Sequence, residues 1–339
     1  MQPRKSKSRL LIIQKDNDMK NLLIIAMFPF GFMNAQMTAI PDVNFEYELI
    51  QQGYDTGVPD GFVPTINIAT ITTLNVNGSN ISDLTGIQDF SALTTLECAI
   101  NQLTSLNLSQ NTFLTYLECS VNQLTNINLT QNTALTFISC YLNALTSIDI
   151  SQNVELIELS CGTNQLVSLD VSQNINLENL NCFDNQISNL NLSQNSVLTD
   201  LWCSDNNLTE LDVSSNSNLS YLRCDTNQLF CLNVANGNNL NFSRFSAVLN
   251  PNLSCIEVDD INWSSSNWTV TLGMIDVTAS FSLNCTGACA LGVEELKTKP
   301  RELLKICDLM GREMVPEKNK VLLYVYSDGT VERVFNLEK

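Results

Sequence analysis

The chain has 339 residues, no histidine, 35 acidic and 17 basic side chains, and a formal net charge of −18. The lack of histidine excludes Ser-His-Asp and Cys-His nucleophilic sites and every metal site that uses histidine. Residues 21–293 hold 24 Asp and Glu against two basic residues. We therefore expect no nucleic-acid partner, because phosphates are bound by cationic surfaces.

Residues 1–36 are predicted to form an N-terminal extension and a signal peptide. A basic and polar leader precedes a short apolar run, Leu22–Phe32, which is too short to span a bilayer. Translation begins at Met1 or at Met19. We expect an exported protein with no integral membrane span in the mature chain. Residues 37–70 then form an N-terminal cap.

Residues 71–250 are a tandem array with a 21-residue period. A fixed period of this length indicates stacked repeats, each of which buries its apolar face against its neighbours. The unit reads L-x-x-L-x-C-x-x-N-x-L-x-x-L-x-L-x-x-N-x-x, as in Leu114 to Ala134. Three columns keep the step: Cys98, Cys119, Cys140, Cys161, Cys182, Cys203 and Cys224; Asn101, Asn122, Asn143, Asn164, Asn185, Asn206 and Asn227; and Leu93, Leu114, Leu135, Leu156, Leu177, Leu198, Leu219 and Leu240.

This pattern resembles the leucine-rich repeat family in its 21-residue bacterial form. The stretch that begins at Ile71 and ends just before Leu93 resembles an internalin-type repeat leading into the array. The resemblance implies a mostly β repeat solenoid, right-handed, with parallel strands and about eight turns. A small C-terminal β domain, described below, completes the expected fold class.

Within each unit, inward residues such as Leu117 and Cys119 alternate with outward ones, which indicates a strand. The asparagine amides are expected to satisfy backbone groups of tight buried turns. The ladder cysteines are expected to be buried and reduced. Structural zinc ligands are spaced by about two to four residues, and parallel Cβ vectors hold neighbouring cysteines too far apart for good disulfide geometry. We expect no metal and no cofactor.

The last turn begins at Leu240, with Phe245 at the cysteine position and no asparagine column, which suits a capping turn. Residues 251–290 are expected to form a C-terminal cap, stapled by a disulfide bond between Cys255 and Cys285, which an exported chain permits. The cysteines outside the ladder number five, so at least one has no partner among them: Cys231, Cys255, Cys285, Cys289 and Cys307.

Residues 291–339 hold nine of the 17 basic residues. Alternation on both sides of Ser327-Asp328-Gly329 predicts a β-hairpin. With Asp308-Leu-Met-Gly-Arg312 and Tyr324-Val-Tyr326, this tail resembles the C-terminal sorting domain of the type IX secretion system of Bacteroidetes. The resemblance implies contact with the type IX machinery, removal of the tail, and a secreted or outer-membrane surface-attached product. The alternative is a small β-cap that has no role in secretion.

Two outward columns of the strands vary from turn to turn and should line a concave sheet. Aromatic residues recur in them, and the two basic residues of the body fall in one column. Tyr, Trp and Arg dominate interface energetics, which makes these residues the candidate ligand-binding set: Tyr116, Phe137, Trp202, Tyr221, Arg223, Phe242 and Arg244. The competing interpretation is that the aromatic residues only fill space on the surface and that the arginines pair locally with aspartates near the cap.

Asp184, Asp205 and Asp225 lie near the ends of these strands, but a calcium site needs about six to eight oxygens in one loop. We predict no metal site there. The favoured function is a secreted or cell-surface protein that binds a protein or a glycan, in adhesion or capture, and not an enzyme. The alternatives are a structural surface protein without a specific ligand and a hydrolase with a carboxylate pair. Nothing in the repeats places such a pair in a cleft.

Overall fold

A computed structural model of the chain describes residues 36–285, 303–307, 314, 321–326 and 331–335. The predicted signal peptide and two of the sorting motifs, Asp308–Arg312 and Ser327–Gly329, lie outside these residues. In the part of the chain that is described, no helix has the length and apolar character that a membrane crossing requires.

The N-terminal cap holds two strands and two helices: β1 (Met37–Ala39), α1 (Val43–Gln51), β2 (Phe62–Pro64) and α2 (Thr65–Ile68). Strands β1 and β2 are antiparallel. Asp42 caps α1 by accepting hydrogen bonds from the N–H groups of Asn44 and Phe45. Its other oxygen accepts from the N–H and hydroxyl of Ser82 and from the Asp83 N–H, in the first turn. Burial raises the pKa of Asp42, but these hydrogen bonds outweigh it and hold the pKa below its ordinary value. The cap is thus tied to the first repeat.

The main sheet holds nine parallel strands, stacked in chain order. The middle residue of each strand is buried and the flanking residues point outward, as in Tyr116–Glu118. The predicted parallel-strand solenoid is confirmed, and the strand of the first turn joins it. The nine strands are β3 (Thr73–Asn75), β4 (Thr95–Glu97), β5 (Tyr116–Glu118), β6 (Phe137–Ser139), β7 (Glu158–Ser160), β8 (Asn179–Asn181), β9 (Asp200–Trp202), β11 (Tyr221–Arg223) and β13 (Arg244–Ser246).

A second parallel sheet closes the turns near the C-terminal end of the solenoid. It contains β10 (Glu210–Asp212), β12 (Cys231–Asn233), β14 (Cys255–Glu257) and β15 (Ser280–Ser282), paired in that order. Helix α3 (Ile261–Asn267) follows β14. A disulfide bond joins Cys255 to Cys285, the pair that the sequence analysis expected, and Cys231 is disulfide-bonded as well.

Three antiparallel strands are described in the tail: β16 (Leu303–Cys307), β17 (Val321–Tyr326) and β18 (Val331–Phe335). Strand β17 pairs with both neighbours, and its pairing with β18 is the predicted hairpin. Cys307 is buried with a free thiol. The described strands agree with a small C-terminal β domain.

The cysteine ladder is apolar core. All seven ladder thiols are free and fully buried, as predicted. Burial raises the pKa of each one, to about 12 at Cys140 and Cys182. Because the thiolate is the reactive form, these side chains are inert and pack as small apolar groups.

The asparagine ladder holds the turns together. Asn122 donates from Nδ2 to the carbonyl oxygens of Cys98 and Cys119, both at 3.0 Å, and its Oδ1 accepts from the Leu103 N–H at 3.0 Å. One side chain therefore connects two successive turns, as the sequence predicted. A second asparagine column does the same on the opposite side. There Asn132 donates to the carbonyls of Leu108 and Asn111 at 3.0 and 2.9 Å.

The last turn departs from the prediction because it is longer than the turns before it by two positions: Tyr221 pairs with Arg244. Phe245 therefore occupies a leucine position, and Ala247, fully buried, stands where the cysteine was expected. Leu240 leaves the core and is 66% exposed. The extra residues lie in the loop before β13, which contains a 3₁₀ turn over Asn239–Asn241.

The asparagine column also continues through this turn, contrary to the sequence expectation. Asn250 donates to the carbonyls of Cys224 and Ala247 at 3.0 Å, and its Oδ1 accepts from the Leu229 N–H at 3.1 Å. The column was missed because its spacing shifts by two positions. The same carboxamide device thus holds the final turn.

One residue in each turn adopts the left-handed backbone conformation, immediately before the ladder asparagine in most turns. β-branched residues are rarely found in this region, and the surrounding hydrogen bonds hold them there. At Val121 the N–H donates to the Tyr141 carbonyl at 2.8 Å. The positions are Asn80, Ile100, Val121, Leu142, Thr163, Asp184, Asp205, Thr226 and Leu249.

Cys161→Asp should lower the free energy of unfolding by several kcal/mol, because it buries an unpaired charge among apolar neighbours. Cys161→Ala is the control, with an expected loss of about 1 kcal/mol from the removed sulfur. Urea unfolding followed by circular dichroism measures both. Equal stability of the two variants would contradict a fully buried ladder.

Candidate functional site

Two columns of side chains cover the outer side of the main sheet. They are the first and third residues of each strand, and we call this surface the sheet face. It is the surface that the sequence analysis expected to be concave. All the predicted ligand-binding residues except Phe242 lie on it: Tyr116, Phe137, Trp202, Tyr221, Arg223 and Arg244.

Tyr116 and Phe137 form a stacked pair on β5 and β6. Their ring centroids are 4.1 Å apart and their planes differ by 4°. Burial raises the pKa of Tyr116, and the charges of Glu118, Glu97 and Glu158 raise it further. The pair is thus a flat aromatic patch in a negative potential.

A second aromatic cluster surrounds Trp202. Its indole stacks on Phe183, with centroids 4.4 Å apart, and Phe183 lies 5.7 Å from Tyr141. Sequence reasoning missed Tyr141 and Phe183, which follow the ladder cysteines directly and border the sheet face. The signal was present, because that column holds large rings on either side of one glycine.

Gly162 makes room for this cluster. A Cβ at position 162 would lie 2.6 Å from Cδ1 of Phe183 and 3.1 Å from its carbonyl oxygen. The backbone of Gly162 is not left-handed, so the glycine is required for space and not for conformation. It lets the Phe183 ring fold over the neighbouring turn.

Arg223 continues the cluster as a cation. Its guanidinium carbon lies 4.7 Å from the centroid of the Trp202 ring. Its Nε and Nη2 donate to the Asp225 carboxylate, each at 3.2 Å, and Ser204 donates to the same carboxylate at 2.9 Å. The positive charge of Arg223 is therefore compensated within the protein, as the Arg–Asp interpretation anticipated.

The longer last turn separates residues that the sequence placed together. Arg244 is exposed and pairs with Tyr221, whereas Arg223 pairs with Ser246. The two arginines therefore do not share a column. Phe242 precedes β13 and packs edge-on against Trp268, with centroids 5.4 Å apart. It belongs to the cap core, where its ring replaces a leucine, and is withdrawn from the candidate set.

An open cavity of about 190 Å³ lies on the sheet face over the strands β7, β8, β9 and β11. Its floor is Leu159 and Leu180. Polar and aromatic side chains form its walls: Glu158, Asn179, Asn181, Asp200, Trp202 and Tyr221. The structure thus brings two carboxylates into one cavity, which the sequence analysis did not foresee.

The two carboxylates of this cavity repel each other. Burial raises the pKa of Glu158, and the charge of Asp200 raises it further. Asp200 accepts a hydrogen bond from the Thr199 hydroxyl at 2.6 Å. The ionised form of Glu158 therefore lowers the stability of the folded protein.

A larger cavity of about 480 Å³ runs along β10 on the second sheet. Glu210, Asp212 and Glu257 line it, and none of the predicted site residues does. It has carboxylates but no aromatic side chain among its lining residues. This reference surface is therefore a control for the effect of negative charge alone.

No group of three or more potential metal-ligating side chains is present within the described ranges. Asp225 is engaged by Arg223 and Ser204. Burial raises the pKa of Asp205, and the charge of Asp225 adds to this effect. These two aspartates, with the exposed Asp184, do not assemble a calcium site.

No protein-family model matches the chain. Over 72 residues it is 42% identical to Internalin J of Listeria monocytogenes, a stretch that is 21% of this chain and 8% of that protein. The functional domain of InlJ from the same species, which includes a cysteine ladder, is 31% identical, with 67% of this chain and 58% of that chain covered and a TM-score of 0.48. The chain thus spans less than two thirds of these relatives.

The crystal structure of internalin C2 from L. monocytogenes is also similar. It is 24% identical, with a TM-score of 0.54, and the match covers 66% of this chain and 98% of that one. This likeness shows the fold. The chain therefore has the leucine-rich repeat fold, built here from 21-residue repeats, and is similar to internalins.

Glu158→Gln should raise the melting temperature at pH 7 by about 1–2 °C, because it removes a partly buried charge and its repulsion from Asp200. A carboxyl whose folded pKa is raised destabilises the fold only when it is ionised. The gain should therefore vanish as the pH falls below 4.5, its ordinary value. Thermal unfolding across this pH range measures it.

Glu97→Gln is the matched control, since Glu97 accepts hydrogen bonds from Asn75 and Asn77 and should gain nothing when neutralised. A Glu158→Gln variant that melts at or below the wild-type temperature at pH 7 would contradict the expected repulsion.

Proposed function

We propose that this protein is exported and binds a macromolecule, a protein or a glycan, on its sheet face. The observation that carries the proposal is the pair of aromatic clusters on and beside that face. Large apolar rings left half-exposed on a regular surface lower solubility and are typical of interaction sites. They flank a cavity with several hydrogen-bonding groups, which is a common composition for recognition surfaces.

The core does not need these rings. Leucine, isoleucine and cysteine fill the interior of every repeat, whereas Tyr116, Phe137 and Trp202 stand outside it. Their stacking on neighbouring rings keeps them rigid, so little side-chain entropy is lost when a ligand docks. This supports a binding role over the interpretation as filler.

Two alternatives follow from the same structure. A structural surface protein would use the solenoid without a ligand. A hydrolase would use Glu158 and Asp200 as acid and base, and the raised pKa of Glu158 favours this candidate. Release of reducing ends from polysaccharides, lost in Glu158→Gln, would support the hydrolase.

The double variant Phe183→Ala, Trp202→Ala should lose about 2–4 kcal/mol of binding, because it removes the stacked platform. A protein and glycan array probed with the full chain identifies the ligand, and titration calorimetry measures the loss. These sites are preferable to Arg223→Ala, which would leave the buried Asp225 carboxylate unpaired and destabilise the fold.

The control is Phe113→Ala, which removes a ring that is 64% exposed and lies outside the strands of the main sheet. Unchanged affinity in the Phe183, Trp202 variant would move the site, first to Tyr116 and Phe137. An array without any ligand would favour the structural alternative.

We further propose that the tail directs the protein across the outer membrane through the type IX machinery and is then removed. Deletion of residues 303–339 should retain the protein in the periplasm of a host with that machinery. Cell fractionation and immunoblotting measure this. Normal amounts of the truncated protein at the surface or in the medium would leave the tail as a plain β-cap.

A further inference from the structure

The cavity beside Trp202 combines three kinds of surface. Leu159 and Leu180 form an apolar floor, and the rings of Trp202 and Tyr221 form one side. The remaining walls carry amide and carboxylate oxygens. An occupant that presents an apolar or flat portion together with hydrogen-bond donors for the two carboxylates therefore fits this lining.

The charge of the cavity is negative and uncompensated. Glu158 and Asp200 stand on β7 and β9, two strand spacings apart, or about 10 Å along the sheet. Burial raises the pKa of Glu158, and the charge of Asp200 adds to this effect. The neighbouring cation, Arg223, is already paired with Asp225 at 3.2 Å.

The repeat body cannot supply a second cation to this cavity. Residues 21–293 contain two basic side chains, Arg223 and Arg244. Arg223 is paired, and Arg244 lies on β13, two strands beyond β9. A basic side chain placed between Glu158 and Asp200 must therefore come from outside this body.

We propose that the cavity takes the lysine or arginine side chain of a basic polypeptide partner. The cation would lie between Glu158 and Asp200, within reach of the amide oxygens of Asn179 and Asn181. The alkyl stem or guanidinium plane would lie against Tyr221 and the edge of Trp202, because the faces of Trp202 are covered by Phe183 and Arg223. Charge-assisted hydrogen bonds to the carboxylates would hold the cation. This inference rests on the proposed function and names its ligand class.

The extent of the negative surface favours a polypeptide over a single amino sugar. Two further acidic residues continue the negative surface: Glu118 lies on β5 beside Tyr116, and Glu97 lies on β4, beyond the Tyr116–Phe137 stack. Five strand spacings separate β4 from β9, or about 24 Å. An extended peptide of about eight residues spans that length, so a segment with spaced basic residues could contact both acidic regions.

The test uses the full chain and defined probes. Octapeptides of alternating Lys and Gly, or Arg and Gly, are compared with the Glu and Gly peptide and with a glucosamine tetramer. Titration calorimetry at physiological ionic strength gives the affinities. The basic peptides should bind, and the acidic peptide should not.

The decisive variants remove equal charge at two places. Glu158→Gln with Asp200→Asn should weaken binding of the basic peptides by about tenfold or more. Glu210→Gln with Asp212→Asn, at the reference surface along β10, should change it by less than about twofold. Both variants are checked for folding by circular dichroism.

Equal losses in the two variants would overturn the proposal, because general charge attraction would explain the binding. Binding of the glucosamine tetramer without the peptides would overturn it in favour of an amino sugar. Absence of binding to every probe would overturn it as well. If the Phe183→Ala, Trp202→Ala variant still loses an array ligand, the sheet face binds, and the cationic occupant alone is wrong.

Discussion

The hydrogen bonds of the asparagine ladder, one side chain per turn, hold the solenoid together. A tight inward turn leaves backbone carbonyl and N–H groups without partners, and an unpaired buried group costs about 1–3 kcal/mol. Asn122 pairs three such groups on two turns at once. The leucine core supplies the apolar driving force, but the asparagine column fixes the register in which the turns stack. The columns of the sheet face exist because that register is constant.

Constant register converts sequence positions into a surface. Residues one period apart become neighbours on adjacent strands, so Tyr116 meets Phe137 and Glu118 meets Ser139. Side chains two strands apart, such as Glu158 and Asp200, share one cavity. The chemistry of the face therefore depends on combinations of residues from different turns. A ligand bound on the sheet face would contact several repeats together.

Much of this architecture could be predicted from the sequence, because the structure of one repeat unit applies to every regular turn. The inward leucines, the buried thiols and the asparagine columns follow from the period. The last turn could not be read in the same way, since its added length shifts Arg244 and Phe242 without changing the composition. The stacking of Phe183 across Gly162 and the meeting of Glu158 with Asp200 depend on side-chain directions. The repeat period gives the position of each residue in its turn, but it does not give the direction of its side chain.

The asparagine bonds join each turn only to the next one along the chain. The duplication or loss of one whole repeat unit would therefore leave every remaining joint intact, and the solenoid could grow or shrink by whole steps over generations. Unequal recombination within such a gene would deliver viable products of many lengths. Each step would also bring two new outward side chains into the neighbourhood of the old ones. The same geometry that gives the fold its regularity thus allows the sheet face to vary while the fold stays the same.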